Sequence, residues 1–262
     1  MLKSIYTPLS GALAQEKVLD IIANNLANVN TVGFKEEKVA FKVLNPEPEK
    51  NYKNPLPPAN YKVDMEHLHP LRGNEIDYVE VSGVYRDDNQ GPAINTGNNF
   101  DVMIEGDGYF QLNTNEGLRF TRNGSFSLNQ DGALTDKFGN PVLGENGVVF
   151  VKKTGFEINA KGDIIQDGKI IDSLKLVKFK DPTLLEKVGT NHYYHSGPEE
   201  FISDIENPNM KQGFLEGSNV NPIKNLTTMI LAHRSYEAYQ KAIKNVDNMM
   251  EKSSNTIGAV RA

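Results

Sequence analysis

Apolar positions change their period along this chain. Leu2, Ile5, Leu9, Ala12, Leu19, Ala23 and Leu26 recur at steps of three, four or seven, with Glu16 the one break. That spacing predicts an amphipathic helix. Thr7 and Pro8 read as its N-cap and first-turn pair. If Leu2 and Ile5 belong to the same series, the helix starts earlier and kinks at Pro8. Asn28 to Gly33 supplies the stop. Between about 75 and 200 the texture becomes short apolar runs separated by glycine turns. Runs 100–104 and 109–112 flank Gly106-Asp107-Gly108, which predicts a hairpin. Turn signals recur at Asn123-Gly124, Asp131-Gly132, Gly139-Asn140-Pro141, Asn146-Gly147 and Asp167-Gly168, and 174–179 reads as one more strand. A β-rich module follows. Helical period returns after Pro222. Met229, Ala232, Tyr236, Tyr239, Ile243, Val246 and Met250 alternate steps of three and four, with Lys, Arg, Glu, Gln and Asn filling much of the opposite face.

The expected fold is therefore α+β: a helical domain formed by paired N- and C-terminal helices, with a β-rich central domain. Residues 1–44 and 211–262 make up the terminal domain and 76–210 the β-rich one. Between them, 45–75 is an irregular segment, with Pro46, Pro48, Pro55, Pro57 and Pro58 denying both helix and central strand. The C-terminal stripe is a coiled-coil-like seam. Its burial stabilises by on the order of 10 kcal/mol, at about 1.5–3 kcal/mol per large side chain. Periodicity alone favours each terminal helix packing on its own domain. Two such helices, about 35 and 45 Å long, at opposite ends of one chain suggest instead that they pair. Pairing buries one side of each and leaves positions such as Ile22, Leu226 and Leu231 for neighbouring subunits.

Composition narrows the function. The chain has 262 residues, a net charge of −6 and no cysteine. Acidic balance without a basic block argues against nucleic-acid binding. Without cysteine there is no disulfide and no thiolate metal site. No run approaches the roughly 18–20 apolar residues of a membrane span. Lys3 and Ala12-Leu13-Ala14 imitate a signal peptide, but Ser4, Thr7, Pro8 and Ser10 interrupt its apolar core.

Candidate chemistry is thin. Asp101, Glu105, Asp107 and Asp131 offer no spacing that isolates a matched acid and base. His67 and His69, or His192 and His195 in an apparent loop, lack a third metal ligand. Gly106 and Gly108 lack the P-loop lysine pattern. No catalytic, cofactor or metal residue is assigned, and no small-molecule substrate or nucleic acid is expected. A wall-binding β module that takes peptidoglycan through Tyr61, Tyr78, Tyr85, Tyr193 or Tyr194 is the remaining rival to a structural subunit.

Several segments then resemble a known family. Residues 24–35, Asn-Asn-Leu-Ala-Asn-Val-Asn-Thr-Val-Gly-Phe-Lys, resemble the N-terminal signature of bacterial flagellar rod and hook proteins. Residues 96–110 resemble their central motif, and 120–126, 139–144 and 213–222 follow in the family's order. The short length resembles a basal-body rod protein more than a hook protein. Within 143–147 and 215–220 the chain looks closest to the proximal-rod type, with a distal-rod or hook-family axial subunit as the alternative. Phe100 and Tyr109 depart conservatively from the family's Leu and Phe.

The resemblance implies a structural subunit of the periplasmic rod that transmits torque for motility. Its partners would be copies of itself, other proximal and distal rod subunits, and the flagellar export apparatus, which would carry it out without a cleaved signal peptide. The assembly interface is expected at Leu19, Asn24, Asn25, Leu26, Asn28, Asn30, Gly33, Phe34, Asn219, Val220, Met229, Tyr236, Tyr239, Ile243, Val246 and Met250. Asn24, Asn25 and Asn28 would bond backbone between closely packed subunits, since amides fix register without burying charge.

Overall fold

The computed structural model describes residues 3–44, 78–152, 155–189, 191–205 and 207–259. The proline-rich segment, Tyr61, His67 and His69 lie outside them. Helix α1 (Lys3–Ala27) and helix α2 (Pro222–Ala259) bracket a run of short strands, so the fold is α+β. α2 begins at Pro222, as the sequence predicts. α1 starts before Thr7 and contains Pro8, so Thr7 is not its N-cap and the earlier start is the correct one.

The described residues divide into two compact units. One draws on the described residues within Met1–Ala23, Lys38–Val84 and Leu226–Ala262, and the other on those within Asn24–Glu37 and Tyr85–Asn225. The first holds most of both helices and of a two-stranded ribbon, β1 (Glu37–Leu44) with β2 (Tyr78–Arg86). Its buried side chains are Ala12, Ala14, Ile21, Ile22 and Ala232.

The second unit is built on small antiparallel sheets. β3 (Ala93–Asn95) pairs with Phe214–Glu216, and β4 (Val102–Ile104) with Met210–Gln212. β5 (Tyr109–Thr114) and β6 (Gly117–Thr121) form a hairpin. They lie inside a six-stranded sheet ordered Leu185–Val188, His192–His195, β6, β5, Leu176–Phe179, Ile202–Asp204. Val102, Ile104, Phe110, Leu112, Phe126, Leu134, Val142 and Ile164 are at most 4% exposed in the main core. The predicted strand at 174–179 is present as Leu176–Phe179, with Leu174 buried ahead of it.

Two expectations about strands fail. β4 and β5 do not pair across Gly106-Asp107-Gly108; they belong to different sheets. The carbonyls of Gly106 and Gly108 accept instead from the Arg122 guanidinium, at 2.7 and 2.6 Å. The turn wraps a buried cation and so redirects the chain. Residues His192–His195 form a strand, not a loop. Three-residue spacing then puts His192 and His195 on opposite faces, so they cannot share a metal ion. Among the described residues no group of three or more His, Asp or Glu could hold one.

One turn recurs three times. Asn129, Asp136 and Asn159 each accept, at Oδ1, from the backbone N–H groups two and four residues on, at 2.8–2.9 Å. These are side-chain-templated turns of the kind Asn and Asp favour. The glycine signals at 132 and 139 locate two of them, and Gly162 marks the third.

Candidate assembly site

Along α1 the chain is thin where it meets α2. A Cβ on Gly11 would lie 2.5 Å from the Tyr239 ring. Gly11, Ala12 and Ala14 are all buried, so small residues let the two helices approach. The predicted α1 stripe is displaced by this contact. Ala12 lies on the buried side, but Leu9 and Ala23 are exposed, and Ile21 and Ile22 are buried in their place. Ile22 is therefore not a free position. On α2 the predicted seam does face inward: Ala232 is buried, and Met229, Tyr236, Tyr239, Ile243, Val246 and Met250 are half-buried.

The outward faces are unusually apolar. On α2, Ile223, Leu226 and Ile230 recur at steps of three and four and are 77%, 51% and 55% exposed, with Leu231 beside them. On α1, Tyr6, Leu9 and Leu13 make a second exposed series. Each such side chain forgoes part of the about 1.5–3 kcal/mol that full burial would contribute.

The segments that follow α1 and precede α2 behave differently. Lys35 and Glu216, each with a side chain 1% exposed, form an ion pair at 2.6 Å, and Arg122 Nε lies 3.1 Å from the other Glu216 oxygen. Lys35 also donates to the carbonyls of Asp88 and Asn89. Burial pulls the Lys35 ammonium below its ordinary value, against the opposing pull of Glu216. The Gly33 N–H donates to the Glu216 carbonyl at 2.8 Å. Gly33 has φ +69°, and a Cβ there would lie 2.7 Å from the Arg122 backbone, so both conformation and space require glycine.

Amides complete this junction. Asn25, 1% exposed, donates to the Glu37 carbonyl and accepts from the Glu37 N–H, which pairs it like a strand residue. Asn219 accepts from the Glu36 N–H at 2.7 Å and donates to the carbonyls of Asp87 and Asn89. Asn225 donates to Glu36. Asn28 donates to the Asn24 carbonyl at 2.9 Å and accepts from Thr31, closing the end of α1.

Three family models match the chain. Residues 5–35 match "Flagella basal body rod protein", 103–166 match "Flagellar hook protein FlgE/F/G D1 domain", and 211–256 match "Flagellar basal body rod FlgEFG protein C-terminal". Similar curated proteins include the flagellar basal-body rod protein FlgF of Caulobacter vibrioides, 30% identical over 98% of each chain. FlgG of Bacillus subtilis is 32% identical over 97% of this chain and 99% of its own, and FlgG of Borreliella burgdorferi is 31% identical over 97% and 98%. The chain belongs to the FlgF/FlgG family of flagellar basal-body rod proteins. Each of the three matched segments contributes one member of the buried triad: Lys35 from the first, Arg122 from the second, Glu216 from the third. Segments far apart in the rod protein's sequence thus converge on one charge cluster.

The expected interface residues separate into groups. Asn25, Gly33, Phe34 and Val220 are buried in the chain itself, and Asn219 spends its amide on neighbouring backbone. Leu19, Leu26 and the α2 seam are half-buried, as is Asn28. Asn24 and Asn30 are exposed. Sequence reasoning missed Lys35, Arg122 and Glu216 as a unit; nothing local to any one of them signals the other two. It also missed Ile223 and Ile230, whose spacing from Leu226 was there to be read.

Three of the four carboxylates considered for chemistry, Asp101, Glu105 and Asp107, are engaged separately. Glu105 bonds Lys211 and Asn209, and the hydrogen bond from Lys211 holds its carboxyl below the ordinary range. Asp107 pairs with Lys178 at 2.6 Å. Asp101, buried, accepts from the Asn98 amide.

Proposed function

We propose that this rod subunit polymerises through the outward faces of its terminal helices, with Ile223, Leu226, Ile230 and Leu231 of α2 and Tyr6, Leu9 and Leu13 of α1 buried against neighbouring subunits. The chain is a structural component of the bacterial flagellar basal-body rod and serves motility, and it assembles with other rod components. The observation that carries the reading is the helical series of large apolar side chains left in water on α2. Exposed Asn24 and Asn30 supply amides to contacts between subunits, and the α2 seam residues that remain half-exposed contribute their rims.

The rod built this way is a periplasmic shaft that transmits torque, and the subunit does no chemistry of its own. It reaches the periplasm through the flagellar export apparatus with its N-terminus intact. Cleavage at the Ala12-Leu13-Ala14 imitation of a signal site would remove Gly11, against which Tyr239 packs. Residues 143–147 and 215–220 favour a place in the proximal rod. Cryo-EM of purified basal bodies, with the chain located by its side-chain density, tests both points. The expected result is density in the proximal rod with the α2 stripe covered by neighbours. A stripe facing solvent in the assembled rod overturns the interface, and density confined to the hook or distal rod overturns the placement.

A further inference from the structure

A cavity of about 410 Å³ lies on the face of the six-stranded sheet that carries Leu112, Arg119 and His192. It is lined by the β5–β6 turn, the Asp136 turn, the end of Leu185–Val188 and the start of His192–His195. Its polar groups are held before any ligand arrives. Asp136 is buried, accepts from the His192 ring at 2.8 Å and from the Asn140 amide at 2.9 Å, and so fixes both. Arg119 donates to the Glu116 carboxylate at 2.9 Å, and its guanidinium lies 5.0 Å from the centre of the Tyr194 ring. At the tip of the Asp136 turn, Phe138 is 71% exposed, with its ring edge-on to His192 at 5.4 Å. The turn itself uses only the Phe138 N–H. Beyond its edge contact with His192, the Phe138 ring is largely open to solvent.

We infer that this cavity is a binding site for a short neutral glycan, of hexose or N-acetylhexosamine units, stacked on Phe138. A sugar ring offers a C–H face to an aromatic side chain and hydroxyl or acetamido groups to planar polar partners. Phe138 supplies the first; Arg119, Glu116, Asn115 and His192 supply the second. Arg119 and Glu116 cancel each other's charge, which disfavours a charged ligand. Glu116 and the acidic chain disfavour a nucleic acid. The cavity falls within the usual range for small-molecule sites, about 300–1,000 Å³. Tyr193, one of the tyrosines considered for wall binding, is buried and takes no part, whereas Tyr194 is exposed on the face that holds the cavity.

The test is titration of the full chain with an N-acetylglucosamine trimer, followed by backbone amide NMR. Shifts are expected to concentrate in 114–119, 138–140 and 188–192. Phe138→Ala is expected to weaken binding by about tenfold, and Phe138→Tyr to stay within about twofold of the parent. An unchanged thermal midpoint shows that Phe138→Ala still folds. If it melts earlier, Asn115→Ala replaces it, with an expected loss of about threefold. No shifts at saturating trimer, shifts centred elsewhere, or equal binding by the folded variant overturn the site. A peptide that shifts these residues where the trimer does not also overturns it. Because the titration uses unassembled subunit, its result is independent of whether the helices polymerise as proposed.

Discussion

The junction around Glu216 and the outward face of α2 treat their side chains in opposite ways. At the junction, charges are buried and partnered inside the chain: Lys35 meets Glu216 and two carbonyls, and Arg122 meets Glu216 and two more. On α2, Ile223, Leu226 and Ile230 are apolar and left in water. A polymer-forming protein needs both. The buried triad closes each subunit on itself, and the exposed residues proposed to join subunits lie within the same family-matched terminal segments. Self-closing residues and proposed assembly surface are therefore different sets, and mutation separates them.

The largest effect is expected at the junction. Glu216→Leu leaves Lys35 and Arg122 buried without their carboxylate and is predicted to destabilise the β-rich unit by about 3–5 kcal/mol. Glu216→Gln keeps the shape and costs less. Urea unfolding of the full chain measures both, and a loss under about 1 kcal/mol for Glu216→Leu would contradict the closing role. Next comes the close approach of the helices. Gly11→Val drives a branched side chain into the Tyr239 ring and is predicted to cost about 1–3 kcal/mol. Amide exchange should quicken in α1 and α2 while the core strands β5 and β6 keep their protection.

A smaller effect concerns acid. Burial alone would raise the Asp136 carboxyl, but hydrogen bonds from His192, Asn140 and two backbone N–H groups outweigh it and hold the group below the usual carboxylate range. A carboxyl depressed in the folded state contributes stability above its unfolded value, about 3.9. That contribution is lost as pH falls through the folded value. Asp136→Asn should therefore flatten the decline in stability below about pH 4. A parallel decline in parent and variant would show that the hydrogen bonds do not favour the charged form.

Much of this fold was legible from period alone. The α2 seam faces inward residue for residue, because alternate three-four spacing admits one helix face. The α1 stripe was less reliable. Tyr239 packs where Gly11 leaves space, a small-residue contact that a count of apolar positions does not register, and Ile21 and Ile22 are buried where Leu9 and Ala23 were expected. Gly106-Asp107-Gly108 carried a hairpin signal, but Arg122, 14 to 16 residues on, takes both glycine carbonyls. The same distance problem hid the triad, since Lys35 and Glu216 are 181 positions apart. Asn25 was expected to bond backbone, and it does bond that of Glu37 in its own chain. Amide composition shows that a backbone partner is needed but not whose backbone it is.

The central claim is that the exposed α2 series builds the rod without stabilising the subunit. Replacing Leu226 and Ile230 together by Glu tests it most directly, with thermal unfolding of the purified subunit and incorporation into basal bodies measured on the same variant. Surface substitutions of this kind are expected to change stability by no more than about 0.5 kcal/mol each. The account predicts a normal unfolding transition with loss of the subunit from the rod and loss of motility. Full incorporation and normal swimming would contradict it.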